Sequence, residues 1–119
     1  MTTDAHRLLP LKPTELQLLL ALSERELHGY GLTQAIAESS AGVITLEPGN
    51  LYRVIKRLLA ADLVAESVRR PAPELGADER RIYYRLTPLG ARVLAAELHR
   101  LRSIVTSPTG RTLIKRWAR

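Results

Sequence analysis

From Leu63 onward the apolar residues stop recurring every three to four positions and begin to alternate, and this change of period limits what the chain can become. Before it lie three stretches with helical spacing. After it lie two alternating runs, "LVAESVRR" and "RRIYYRLT", separated by "PAPELGADE", a segment rich in turn residues and helix breakers. In the first run Val64, Glu66, Val68 and Arg70 point one way, and Ala65, Ser67 and Arg69 the other. In the second, Ile82, Tyr84 and Leu86 share one face, while Arg81, Tyr83, Arg85 and Thr87 share the other. Together they read as a β-hairpin with a long loop, embedded in a mainly α chain.

The helical stretches frame that hairpin. Residues 1–11 have no clear period and read as a loose arm. At "KPTELQLLLALSERE" a helix begins, with Thr14 and Gln17 at capping-box spacing. Leu16, Leu19, Leu20 and Leu22 form its apolar face and Leu18 falls opposite, so it should be covered on two sides. "HGYGL" interrupts the pattern, and a second helix runs from about Tyr30 to Ser39 with Leu32, Ala35 and Ile36 inward. Gly42 suits a left-handed C-cap. "VITL" is either a short strand or an extended linker.

The third helix lies in "LEPGNLYRVIKRLLAADLV", Leu46 to Val64. Pro48 suits its first position, where a missing N–H costs nothing. Leu51, Val54, Ile55, Leu58 and Leu59 gather on one side; Gly49, Asn50, Arg53, Lys56, Arg57 and Ala60 gather on the other, with Tyr52 at the border. After the hairpin, "LTPLGARVLAAELHRLRSIV" is a last clear helix, with Thr87 as N-cap and Pro88 as its first residue. The C-terminal "RTLIKRWAR" is a basic tail with amphipathic potential.

With 119 residues the chain makes one domain. It has no cysteine, which excludes disulfides and thiolate chemistry. Nothing resembles a signal peptide, and no apolar run is long enough to span a bilayer, so we expect a soluble cytoplasmic chain with no membrane partner. His6, His28 and His99 are scattered without metal-ligand spacing. A glycine-rich phosphate loop, a serine elbow and a close carboxylate pair are all missing, so we expect no catalytic residue, no metal and no cofactor.

The net charge is +6, and its distribution says more than its sum. Residues 1–52 carry three basic side chains (Arg7, Lys12, Arg25) against six acidic ones; residues 53–119 carry the other fifteen basic ones. Such asymmetry points to a polyanion-facing surface in the second half. Three helices before a two-stranded hairpin describe a winged helix-turn-helix, in which the third helix lies in the DNA major groove and the hairpin reaches the backbone or minor groove. Asn50, Arg53, Lys56 and Arg57 have the chemistry for phosphates and base edges. Because the hairpin loop carries Glu74, Asp78 and Glu79, we expect wing contacts from Arg69, Arg70, Arg80 and Arg81 at the strand ends instead. Tyr83 either donates to phosphate or packs on arginine stems. A rival reading, supported by the acidic loop, is a winged helix that binds an acidic protein partner.

"HGYGLTQAI", "LEPGNLYRVIKRLLAADLVAE" and "RRIYYRLTPLGARVL", in that order, resemble the PadR family of bacterial transcriptional regulators over about residues 14–100. The resemblance places Tyr30 and Tyr52 near the DNA-facing side, where periodicity already puts Gly49, with packing between the second and third helices as the other role for the two tyrosines. Glu47 departs from the family pattern, which often has serine there, and Asn50 stands where threonine is common. The short C-terminal part is similar to the smaller members with one helix after the wing. The division implied is an arm (1–11), a winged helix-turn-helix (12–88), a dimerisation helix (89–106) and a basic tail (107–119). Leu94, Leu98, Leu101 and Val105 make a stripe too long for this domain to cover, and Leu16 and Leu20 join it as candidate dimer contacts; the alternative is packing within the chain against the first helix. A two-fold dimer matches a pseudo-palindromic operator in double-stranded DNA. The resemblance implies a homodimeric repressor, released in some members by a small hydrophobic effector.

Overall fold

The structure is a computed structural model and describes residues 4–67 and 82–118. Its elements run α1 (Asp4–Arg7), α2 (Pro13–Glu24), β1 (Leu27–His28), α3 (Gly29–Ser39), α4 (Pro48–Ala60), β2 (Val64–Glu66), β3 (Tyr83–Leu86), α5 (Pro88–Val105) and α6 (Pro108–Trp117).

Local chemistry sets most of the boundaries. Pro13 takes the first position of α2, which makes Lys12 the N-cap and moves the cap away from Thr14. The expected Thr14–Gln17 box therefore gives way to Glu15, whose Oε1 accepts the Lys12 N–H at 2.9 Å. α3 starts at Gly29, one residue before the expected Tyr30, because His28 caps it: its Nδ1 accepts the Gly31 N–H at 3.2 Å. Beyond α3, Gly42 does adopt the left-handed conformation, with φ +81°, and its N–H reaches the Ala37 carbonyl at 2.8 Å. "VITL" forms the extended linker rather than a strand: Val43 is exposed, while Ile44 and Leu46 lean on the core.

The hairpin pairs antiparallel, Val64 opposite Leu86, Ala65 opposite Arg85 and Glu66 opposite Tyr84. A third strand escaped the sequence reading. β1 pairs with the other edge of β3, Leu27 opposite Tyr84 and His28 opposite Tyr83, giving the order β1-β3-β2. Two residues are too few to show a period of two, and the glycines that follow mask the strand. Ile82 precedes β3 and is exposed, so it does not share the buried face of Tyr84, with which alternation groups it.

The core is aliphatic. Leu18, Leu19 and Leu22 of α2, Leu32 and Ile36 of α3, and Leu51, Ile55 and Leu58 of α4 pack with Leu63, Val64, Tyr84, Val93 and Leu94. α2 is covered on two sides, as its leucines imply. Burial raises the Tyr84 hydroxyl's pKa, with Tyr52 and Glu66 adding to the shift.

The N-terminal end differs from expectation. Residues 4–11 are not loose: Ala5 is buried, and Leu9 and Leu11 pack on the core because α1 lies against α5. The tail is helical, with Ser107 capping α6 by accepting the Gly110 N–H at 3.0 Å.

Candidate nucleic-acid interface

α4 divides into two faces. Leu51, Val54, Ile55 and Leu58 are buried, and Gly49, Asn50, Tyr52, Arg53, Lys56 and Arg57 are exposed. The helix opens on Pro48 with Glu47 as N-cap, yet the Glu47 side chain makes no capping bond. The first-turn N–H groups of Gly49 and Asn50 thus keep the anion-attracting character of an uncapped helix start.

The three cations are not equivalent. Among the described residues, none forms an ion pair or hydrogen bond with the Arg53 or Lys56 side chain. Arg57 donates its Nε–H to Glu15 Oε2 of α2 at 3.2 Å, with 43% of its side chain exposed and 14% of that of Glu15. Nothing local in the sequence signals this pair, whose members lie 42 residues apart.

The two helix-turn-helix tyrosines are placed differently. Tyr30 is 65% exposed, and its hydroxyl accepts a 3.2 Å bond from Gln34 Nε2, so it is not packed between helices. Tyr52 is half exposed and lies along the start of α3; a methyl added at Gly29 would sit 2.6 Å from its hydroxyl. Tyr83 is half-buried, and its ring meets His28 edge-on at 5.2 Å. Arg69, Arg70, Arg80 and Arg81, the expected wing contacts, lie outside the described residues, as do Glu74, Asp78 and Glu79.

The apolar stripe of α5 needs a correction at Leu94. That residue is 5% exposed and belongs to the chain's own core, because the stripe's first turns face α2. Leu16 and Leu20 are half-buried against the same core. Leu98 and Val105 are exposed and Leu101 is half-buried. Ile104 and, on α6, Leu113, Ile114 and Trp117 add exposed apolar area that the stripe did not include.

A buried carboxylate also escaped the sequence reading. Glu97 of α5 is 1% exposed. It bonds Arg100 Nε at 2.6 Å, Arg100 Nη2 at 3.0 Å and the Leu11 N–H at 2.9 Å. The Arg100 hydrogen bond holds its carboxyl below the usual carboxylate range, against the opposing effect of burial, and the Leu11 N–H adds to the lowering. Beside it, α1, α5 and the α5–α6 junction border an open cavity of about 540 Å³ lined by His6, Leu9, Ala96, His99, Ser103 and Ile104 among others. Among the described residues no cluster of His, Asp or Glu could hold a metal ion, and no helix is long and apolar enough to cross a membrane.

Three helices, α2 to α4, followed by a hairpin whose central strand is also held by β1, define a winged helix-turn-helix protein. The family model for the "Transcriptional regulator PadR-like family" matches residues 18–96, and the chain belongs to that family. It is 38% identical over 85 residues to an uncharacterized 37.1 kDa protein in transposon TN4556 of Streptomyces fradiae. That match takes in 71% of this chain and spans only 22% of the relative's length. Two solved structures share the fold. A PadR family transcription regulator from hypervirulent Clostridium difficile R20291 has 19% identity over 89% of this chain and 98% of that one, with a TM-score of 0.65. Bacillus subtilis PadR in complex with operator DNA has 22% identity over 73% of this chain and 47% of that one, with a TM-score of 0.61.

Proposed function

We propose that this chain is a sequence-specific DNA-binding repressor that acts as a homodimer in the cytoplasm, with α4 in the major groove. The observation that carries the reading is the exposed side of α4. Asn50, Arg53, Lys56 and Arg57 stand there opposite four buried residues, directly before the hairpin. Bacillus subtilis PadR, which shares the fold, was solved with operator DNA, and this supports the same partner here. Leu98, Leu101 and Val105, which the protomer leaves exposed or half-exposed, form the dimer contact together with Ile104. A two-fold dimer presents two copies of α4 to a pseudo-palindromic site. The cavity between α1 and α5 adjoins that contact, and a small hydrophobic effector bound there would act on the spacing of the two α4 helices.

The test is a gel-shift titration on the DNA upstream of the chain's own gene and on a mixed-sequence duplex. Arg53→Ala is expected to weaken binding to both without lowering the melting temperature. Neutralising one phosphate contact should flatten the plot of log K against log salt by about 0.9. Binding and salt slope equal to the wild type would remove α4 as the reader.

A further inference from the structure

Among the described residues, Arg57 is the one cation on the exposed side of α4 that a second element holds, and the holder is an acid. Glu15 is anchored at both oxygens: Oε1 takes the Lys12 N–H at 2.9 Å and Oε2 takes Arg57 Nε at 3.2 Å. Lys12 is the residue from which α2 starts, so the carboxylate is tied to the helix backbone and cannot swing. Arg57 spends one of its five N–H donors on it and keeps four on the two terminal nitrogens. Its side chain remains 43% exposed.

The pair has its Arg57 end open to solvent, so screening keeps its contribution to folding small. It does carry a Coulombic penalty for any polyanion, since it sets a negative charge beside the surface proposed to meet phosphate. We propose that Glu15 is a positioning residue for DNA binding: it fixes the Arg57 guanidinium by its Nε edge so that the terminal nitrogens face a phosphate. The inference rests on the DNA-binding reading of α4 and deepens it. Freezing a long arginine on binding has an entropic cost. Glu15 meets that cost in the free protein, which preorganises Arg57 while Arg53 and Lys56 have no such partner among the described residues. A phosphate contact is independent of sequence, so the effect extends to any B-form duplex.

The sign of one experiment separates positioning from charge. Fluorescence anisotropy with a labelled mixed-sequence duplex is measured for wild type, Glu15→Gln, Glu15→Ala, Arg57→Ala and the double variant Glu15→Ala/Arg57→Ala. Glutamine replaces one of the two acceptor oxygens with a donor NH2, so it cannot accept from Lys12 and Arg57 at the two positions that Glu15 uses. Melting temperatures are read alongside, because Glu15→Ala also removes first-turn support from α2. Losing a negative charge should tighten binding if charge alone matters. Positioning requires both Glu15 variants to weaken it by about threefold to tenfold. It also requires the double variant to bind no more weakly than Arg57→Ala. Glu15 variants that bind as well as wild type or better overturn the proposal, and so does an additive loss in the double variant. If Arg57→Ala alone binds like wild type while Arg53→Ala is weakened, Glu15's role falls and the groove reading stands. If Arg53→Ala also binds like wild type, the groove reading falls with it.

Discussion

The carboxylate of Glu97 on α5 accepts the backbone N–H of Leu11 at 2.9 Å, joining two residues 86 positions apart and holding the segment after α1 against α5. Its remaining acceptor capacity goes to Arg100, and the side chain is 1% exposed. Each partner is satisfied only while the others stay in place.

Glu97→Ala should therefore destabilise the domain. The substitution leaves the Leu11 N–H without its acceptor and opens a void under the N-terminal segment. A buried donor left unpaired costs about 1–3 kcal/mol. Urea unfolding followed by circular dichroism should show a lower midpoint at unchanged slope, the product of midpoint shift and slope giving that loss. An unshifted midpoint would mean that water replaces the carboxylate at no cost.

The same group predicts an acid sensitivity. The Arg100 hydrogen bond lowers the folded-state pKa of Glu97 below its ordinary value. The unfolded chain then binds the proton more readily than the folded one, so acid favours unfolding. The contribution is complete above the ordinary carboxylate range and disappears as pH falls through the lowered value. In melts of wild type and Glu97→Gln, the gap between the two should be constant above about pH 6 and should shrink below about pH 4. A gap that widens in acid contradicts the assignment.

The outcome at Glu97 shows where sequence reasoning stops. α4 was legible in full, because each of its residues is placed by its angle on one helix and the buried side needs no knowledge of its partner. The stripe on α5 was legible as a stripe, but periodicity says which residues share a side and not what covers them. Leu94 accordingly lies in the chain's own core, while Leu98 and Val105 are exposed. Glu15 with Arg57, and Leu11 with Glu97, meet across long separations that leave no local pattern. β1 is two residues long, and only its pairing with β3 reveals it.

Gly90 marks the joint between the wing and α5. A methyl at this position would lie 2.1 Å from the Leu63 carbonyl oxygen and 2.8 Å from Leu86 Cδ1. That carbonyl is fixed, since it also accepts the Thr87 N–H at 3.2 Å. Backbone cannot yield as a flexible side chain does. Gly90→Ala should cost about 1–3 kcal/mol, outweighing alanine's better helix propensity. Thermal melts should show the loss; a stabilised variant would mean that β2 and α5 separate freely.

Gly49 should respond to the same substitution with the opposite sign. Among the described residues, nothing beyond its chain neighbours and its own helix backbone lies within 4 Å of the position its methyl would take, and its φ is outside the left-handed range. The fold therefore gains nothing from glycine here, and glycine inside a helix is less stable than alanine by about 0.5–1 kcal/mol. Gly49→Ala should raise the melting temperature accordingly. The open space lies on the exposed side of α4 beside Asn50 and Arg53, at the uncapped helix start. If that side meets DNA, the added methyl takes the room a phosphate needs for close approach, and affinity for a duplex should fall even as stability rises. A variant that is both more stable and equally tight on DNA would show that the duplex docks clear of the first turn of α4, and Gly49 would leave the contact surface.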